Sequence, residues 1–508
     1  MPSKSSSFPA PVGGWNARDS IASMDEKDAY SLINWFPNTT DVQIRNGNVR
    51  WSTGLPSQVN SLFVYNGSSS SKMFAASGTA FYDVTTQGAV GASVVSGLTN
   101  DKWQHTNMGT AGGQFLMCVN GTDKMRYYDG ATWSTEGTTY TITNVNTNVI
   151  KDIFVFKNRV WLVEKASLSV WYLPTSSIAG AAAEIDISGI VQKGGYLVSG
   201  ATWTIDAGNG IDDHLVLVTS NGEVVVYRGT DPASITTWSL VGVFQIGSPV
   251  GQRCLKKYQG DLLIISQDGL LPLSSALQSS RVNPRVALSD KIQYATSAAI
   301  SSYGTSFGWD LLHFPKENML ILNVPIAAGQ QEQYAMNTIS QSWGRFQGWY
   351  ANCWALFNDN PYYGANGVVY KAWTGNSDFD TSGTEINISY DCQQAFNYCK
   401  DRIHTKHWKM MRPILQTTGG ITPLAGVNTD FDSSTPQYTL GTSTATTSVW
   451  DTAVWDTGVW GGALELNQDW QVIGGIGRAA APRIVGAQKG IDVRWIATDV
   501  IYETGGFL

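Results

Sequence analysis

Charge is scarce in this chain. Asp, Glu, Lys and Arg make up only 14% of 508 residues, well under the usual quarter. Thirty-three basic against 40 acidic residues leave a net charge of −7, the opposite of a general nucleic-acid binder's basic footprint. Cysteine is equally sparse. Cys118, Cys254, Cys353, Cys392 and Cys399 form no even spacing, which excludes a dense disulfide framework and is expected of reduced thiols made in a cytosol. No apolar run approaches the roughly 20 residues of a membrane-spanning helix, so no membrane insertion is expected. The start "MPSKSSSFPAPVGG" lacks the apolar stretch of a secretory signal, and none is expected. Windows rich in Ala, Leu, Glu and Lys are few, so long surface helices are not expected.

What takes the place of charge is Gly (52), Trp (20) and Tyr (21), with much Ser, Thr and Asn. β-Branched and aromatic residues suit a pleated surface and Gly and Asn suit tight turns, so the fold class is all-β. With 43% hydrophobic residues over this length, two or three domains can each bury a core.

A hairpin unit recurs. "KMFAASGTAFYDV" (72–84) turns at Ser77-Gly78, "QFLMCVNGTDKMRYYDG" (114–130) at Asn120-Gly121, and "HLVLVTSNGEVVVYRG" (214–229) at Asn221-Gly222. "RVWLVEKASLSVWYLP" (159–174), "DLLIISQDGLLPLS" (261–274) and the stretch from 318 continue the series, and 353–373 gives another unit. Asn-Gly and Asp-Gly favour hairpin turns because both central residues can take positive φ. A spacing mostly in the forties and fifties predicts an irregular β-propeller of six or seven blades over residues 50–375, with 41–51 closing the ring. Residues 380–508 alternate like sandwich strands and form a C-terminal β domain with a Trp-rich excursion at 443–463. Residues 1–49 read as an N-terminal arm carrying Trp15, Trp35 and Phe36, with a helix-like patch at "MDEKDAYSLINW" (24–35).

Catalytic constellations are missing from the pattern. The histidines are His105, His214, His313, His404 and His407, and no G-x-S-x-G, P-loop or H-E-x-x-H motif accompanies them. His214 beside Asp212 and Asp213 lacks a nucleophile and reads as an ordinary loop histidine. Cys392, Cys399, His404 and His407 have zinc-type side chains at spacings that do not suit a structural site. "YYDGATWS", with Asp129, Gly130 and Trp133, is an imperfect match to the sialidase propeller box. No catalytic residue, metal or cofactor is expected. Two binding features stand out. Lys400, Arg402, Lys406, Lys409 and Arg412 make residues 399–413 the most basic segment, suited to a channel wall, an acidic neighbour or simply solvent. Trp450, Trp455 and Trp460 recur every five residues, matching neither strand nor helix period; they suit a subunit or fibre contact, a self-packed loop or a carbohydrate platform.

The segment "GGWNARDSIASMDEKDAYSLINWFPNTTDVQIRNG" (13–47), residues 220–253 with the following "GDLLIISQDGLLPLS", the tryptophan repeat and the terminal "YETGG" resemble tail proteins of short-tailed bacteriophages. The family is the tail nozzle (tail tubular protein B type) or the related hub. This resemblance implies a non-enzymatic virion tail protein assembled in the host bacterial cytoplasm. It further implies a homo-hexameric ring beneath a portal-adaptor ring, an attachment point for tail fibres or spikes, and a conduit for double-stranded DNA without sequence-specific binding. The N-terminal arm would be an assembly segment against its own propeller or a neighbouring subunit. The alternatives are a carbohydrate-binding or degrading tail adhesin and a head-completion plug retaining packaged DNA.

Overall fold

The computed structural model describes residues 3–206, 211–276, 286–441 and 465–506. Seven antiparallel meanders stand around one axis. Their first strands are residues 59–66 of the long strand Asn48–Asn66, then Gln104–Thr110, Ile150–Phe156, Leu197–Asp206, Leu255–Tyr258, Asp310–Phe314 and Cys353–Phe357. Each first strand contacts the next, and the seventh contacts the first, so the ring is closed. The protein is a seven-bladed β-propeller carrying a second β unit. The hairpins visible in the sequence are the apolar second and third strands of blades one to six.

Closure is made by one continuous strand. Residues 48–58 pair with Asn366–Ala372 as the outer strand of blade seven, with Asn48 opposite Ala372 and Gln58 opposite Asn366. Past a register shift, residues 59–66 pair with Ser71–Ser77 and open blade one. Of the segment 41–51 expected to close the ring, only the part from Asn48 does so; Val42–Ile44 pairs elsewhere. Turn chemistry acts as expected at Gly222, whose φ is +80° and where a Cβ would lie 2.3 Å from the Ile246 carbonyl oxygen. At Asn120 the connection is wider than a two-residue turn: the side chain accepts from the Thr122 and Asp123 amides at 3.0 and 2.7 Å.

The second unit is a two-sheet sandwich built from both ends of the chain. In one sheet Lys406–Thr417 lies beside Val493–Thr504, which also pairs with Ser3–Pro9 and Val42–Ile44. In the other, Asp28–Ile33 pairs with Ile388–Gln394, followed by Ala480–Gln488 and Leu424–Thr429. The strands within residues 3–44 are therefore paired into the sandwich sheets rather than standing apart as an arm. The helix-like patch is one of these strands: Asp28, Ala29 and Leu32 are buried while Tyr30 is exposed, because pairing across the sheet overrides weak local preference. Trp35, Trp408 and Trp495 fill the core with Met411, Leu415, Ile484 and Val500. The one longer helix among the described residues, Gln293–Tyr303, packs against blade six.

The two units share a sheet. Asp28–Ile33 also meets the last strand of blade six in parallel, at Ile33 and Arg345. Behind this junction Arg45 is buried. Its guanidinium grips Asp378 at 2.5 and 2.9 Å, donates to the Gln347 carbonyl at 2.8 Å and to Asn34 Oδ1 at 2.9 Å, and stacks 4.5 Å from the Trp349 ring. A buried charge is tolerated only when its donors are satisfied. Here they are, by groups from both units.

Candidate functional site

The residues singled out by the sequence are dispersed. Trp15 is buried edge-on against Tyr334 at 5.2 Å, Trp35 against Tyr390 and Trp495 at 5.4 and 6.0 Å, and Phe36 against Trp373 at 5.6 Å. All three anchor the N-terminal strands on their own chain and none faces outward.

The basic segment is not one patch, because the strand from Lys406 to Thr417 sends successive side chains to opposite faces. Lys406 is buried and donates to the carbonyls of His404 and Arg478 at 3.2 and 2.9 Å. Lys409 pairs with Glu503 at 2.8 Å and Arg412 with Asp499 at 2.5 Å. Lys400 and Arg402 are exposed on the preceding loop, with Arg402 over Tyr398 at 4.5 Å. Trp450, Trp455 and Trp460 lie outside the described residues.

Cys392 faces the sandwich core, His404 pairs with Asp401 at 2.8 Å, and His407 is exposed. Among the described residues no three His, Cys, Asp or Glu side chains gather as a metal site. His214 and Asp213 are neighbours on one strand and so point apart: His214 lies by Trp203 at 5.7 Å and Asp213 pairs with Lys157 at 3.2 Å. In "YYDGATWS" the Asp129 carboxylate accepts from the Ala131 and Thr132 amides at 2.8 and 2.7 Å, and Trp133 packs on Phe74 at 5.0 Å. That box is a turn brace.

The site that the sequence did not single out is on the propeller axis. A cavity of about 300 Å³ is lined by residues from the first strand of every blade: Leu62, Gln104 and His105, Asp152, Ser199, Lys256, Asp310 and Trp354. Arg253 crosses it. Its guanidinium donates to the Asn60 carbonyl and to Ser61 Oγ, both at 3.0 Å, meets Asp310 at 3.5 Å, and lies 5.4 Å from the Phe307 ring. One side chain thus ties the entry to blade five to blades one and six. Asp152 is buried, accepts from Ser199 Oγ at 2.6 Å, and burial pushes its carboxyl up to about 6. Burial, aided by Arg253 and Lys256, holds His105 down to about 3, so it is a neutral imidazole at physiological pH. The only sequence signal for this site is polar residues on strands that surround an axis.

No family model matches the chain, and no curated protein matches it. Solved structures of low similarity share its repeated blades. BBS1N in complex with ARL6DN is 10% identical, with 66% of this chain and 100% of that chain covered and a TM-score of 0.41. YCF48 bound to D1 peptide is 12% identical, with 68% and 98% covered and a TM-score of 0.38. The Cps50 (Swd1) β-propeller domain of Myceliophteria thermophila is 10% identical, with 63% and 100% covered and a TM-score of 0.39. None of these likenesses informs function.

Proposed function

We propose that this chain is a structural ring subunit of a short-tailed phage tail, of nozzle or hub type, with DNA passing between copies rather than through one propeller. The observation that supports it most is the fusion of propeller and sandwich through a shared sheet and the buried Arg45–Asp378 pair. Head-to-tail contacts between identical wedges close a ring only when each wedge keeps its shape. An apolar strip on the sandwich supports a subunit contact: Leu466, Trp470, Val472 and Ile476 are 51, 40, 68 and 65% exposed along the edge beside Lys406–Thr417. The propeller's own axis is crossed by Arg253 and is too narrow for a duplex. A net charge of −7 suits walls over which DNA slides, since strong phosphate contacts would hold it.

Native mass spectrometry with negative-stain imaging of the full chain, alone and with its adaptor partner, tests this reading. A hollow ring, expected to be of six copies, supports it. A monomer under both conditions overturns it.

A further inference from the structure

Which polar groups in the axial cavity are satisfied divides by kind. The two carboxylates have partners. Asp310 takes Arg253 at 3.5 Å and the Trp354 amide at 3.3 Å, and Asp152 takes Ser199 Oγ at 2.6 Å. Several donors do not. Gln104 is 9% exposed, and its Nε2 is buried without a hydrogen-bond partner. Lys256 lines the same cavity with no ion pair among the described residues. His105, next to Gln104 on the strand, touches Phe63 edge-on at 5.4 Å and has no hydrogen bond among the described residues. An unpartnered buried amide has given up its hydrogen bonds to water without replacement, so such a group in a cavity points to something that accepts from it.

We infer that the axial cavity is a binding site for a small oxyanion, a phosphate or a compact carboxylate, held by Gln104 Nε2 and Lys256 with Arg253 and His105 beside them. The chemistry follows from the imbalance: both carboxylates already paired, the buried Gln104 amide donor left over, and an ammonium beside it. Charge-assisted bonds from an ammonium to an oxyanion are about twice as strong as neutral ones. Arg253 and Lys256 stand on this side of the lining, and their charges add to the burial that keeps His105 unprotonated. Size narrows the class. A cavity of about 300 Å³ is at the small end of ligand sites, room for phosphate or a citrate-sized acid and not for a nucleotide-bearing chain. Every blade contributes to the wall, so an anion here would brace the ring of strands from its centre. This site does not depend on assembly into a larger ring.

The test is thermal unfolding and calorimetric titration of the full chain with inorganic phosphate and, separately, citrate, each against sodium chloride at matched ionic strength. Saturable stabilisation by at least one of them beyond the chloride control is expected, and which one works separates phosphate from carboxylate. Gln104→Glu keeps the side chain's size and turns the unpartnered donor into an acceptor, so affinity falls by about tenfold or more. Lys256→Met has the same sense. If Lys256→Met does not fold, Gln104→Glu decides alone. If neither anion exceeds the chloride control, or if affinity is unchanged in Gln104→Glu, the inference is overturned.

Discussion

Arg45 and Asp378 form an ion pair at 2.5 Å with side chains 1 and 4% exposed, 333 residues apart in sequence and at the seam of propeller and sandwich. Neither charge reaches water, and the guanidinium also holds Asn34 and the Gln347 carbonyl.

Removing one partner strands the other. Arg45→Ala should destabilise the protein by about 3–5 kcal/mol, whereas Arg45→Met combined with Asp378→Leu should recover a large part of that loss. Urea unfolding of the two variants and the parent checks it; a single variant within about 1 kcal/mol of the parent would mean that the pair is effectively solvated.

The N-terminal strands are structural for both units. A chain beginning at residue 59 lacks the outer strand of blade seven and the five strands that precede it, Ser3–Pro9, Gly14–Trp15, Asp28–Ile33, Trp35–Pro37 and Val42–Ile44. Circular dichroism and limited proteolysis should show both units lost. A truncated chain with an intact propeller would return residues 1–58 to the status of an arm.

Two groups in the axial cavity titrate with opposite effect. His105 is held at about 3 against an ordinary 6.5. Its contribution is full above 6.5 and is lost as pH falls towards 3, where the unfolded chain binds the extra proton. Asp152 is raised to about 6 from 3.8. Its contribution is full below 3.8 and is lost as pH rises through 6. Between about 4 and 6 the two slopes oppose, so the parent's stability changes little on their account. His105→Gln should leave stability falling as pH rises through that window, and Asp152→Asn should leave it falling as pH drops, each by about 1–3 kcal/mol in total. Denaturant midpoints measured from pH 4 to 7 read both signs.

Val472→Glu with Ile476→Glu places charge on the exposed strip. Both residues are largely solvated in the monomer, so its stability should shift by no more than about 0.5 kcal/mol each. Ring formation should be lost. Native mass spectrometry of the double variant checks this, and rings that persist would place the subunit contact elsewhere.

The propeller was legible because the middle strands of its blades are apolar hairpins with Gly-bearing turns, such as 214–229. Not every first strand was: "QHTNMGT" at Gln104–Thr110 shows no apolar alternation, and the axial cavity stayed hidden because its lining is assembled from scattered residues of seven separate strands. The sandwich was half legible. Its C-terminal strands alternate, but the partners of Ser3–Pro9 and Asp28–Ile33 lie more than 350 residues away, and local pattern carries no information about such pairing. Trp15, Trp35 and Phe36 stood out in the sequence as residues of an arm, but their packing partners Tyr334, Tyr390, Trp495 and Trp373 lie far along the chain and could not be read. The run of charges in the basic segment does not show that Lys406 turns inward while Lys409 and Arg412 pair with Glu503 and Asp499, because that division appears only once the segment is a strand.

The strand Asn48–Asn66 has a consequence for synthesis. Its first half waits for residues 366–372, and the strands before it wait for residues 388–394 and 493–504. Contacts so far apart form late and slowly. A ribosome must therefore pass residue 372 before the propeller can close and reach about residue 504 before the sandwich can. A product terminated before residue 372 would have an open propeller and half a sandwich, and would expose unpaired strand edges that mark it for degradation. Only chains carrying both ends of these pairings would reach the folded pool.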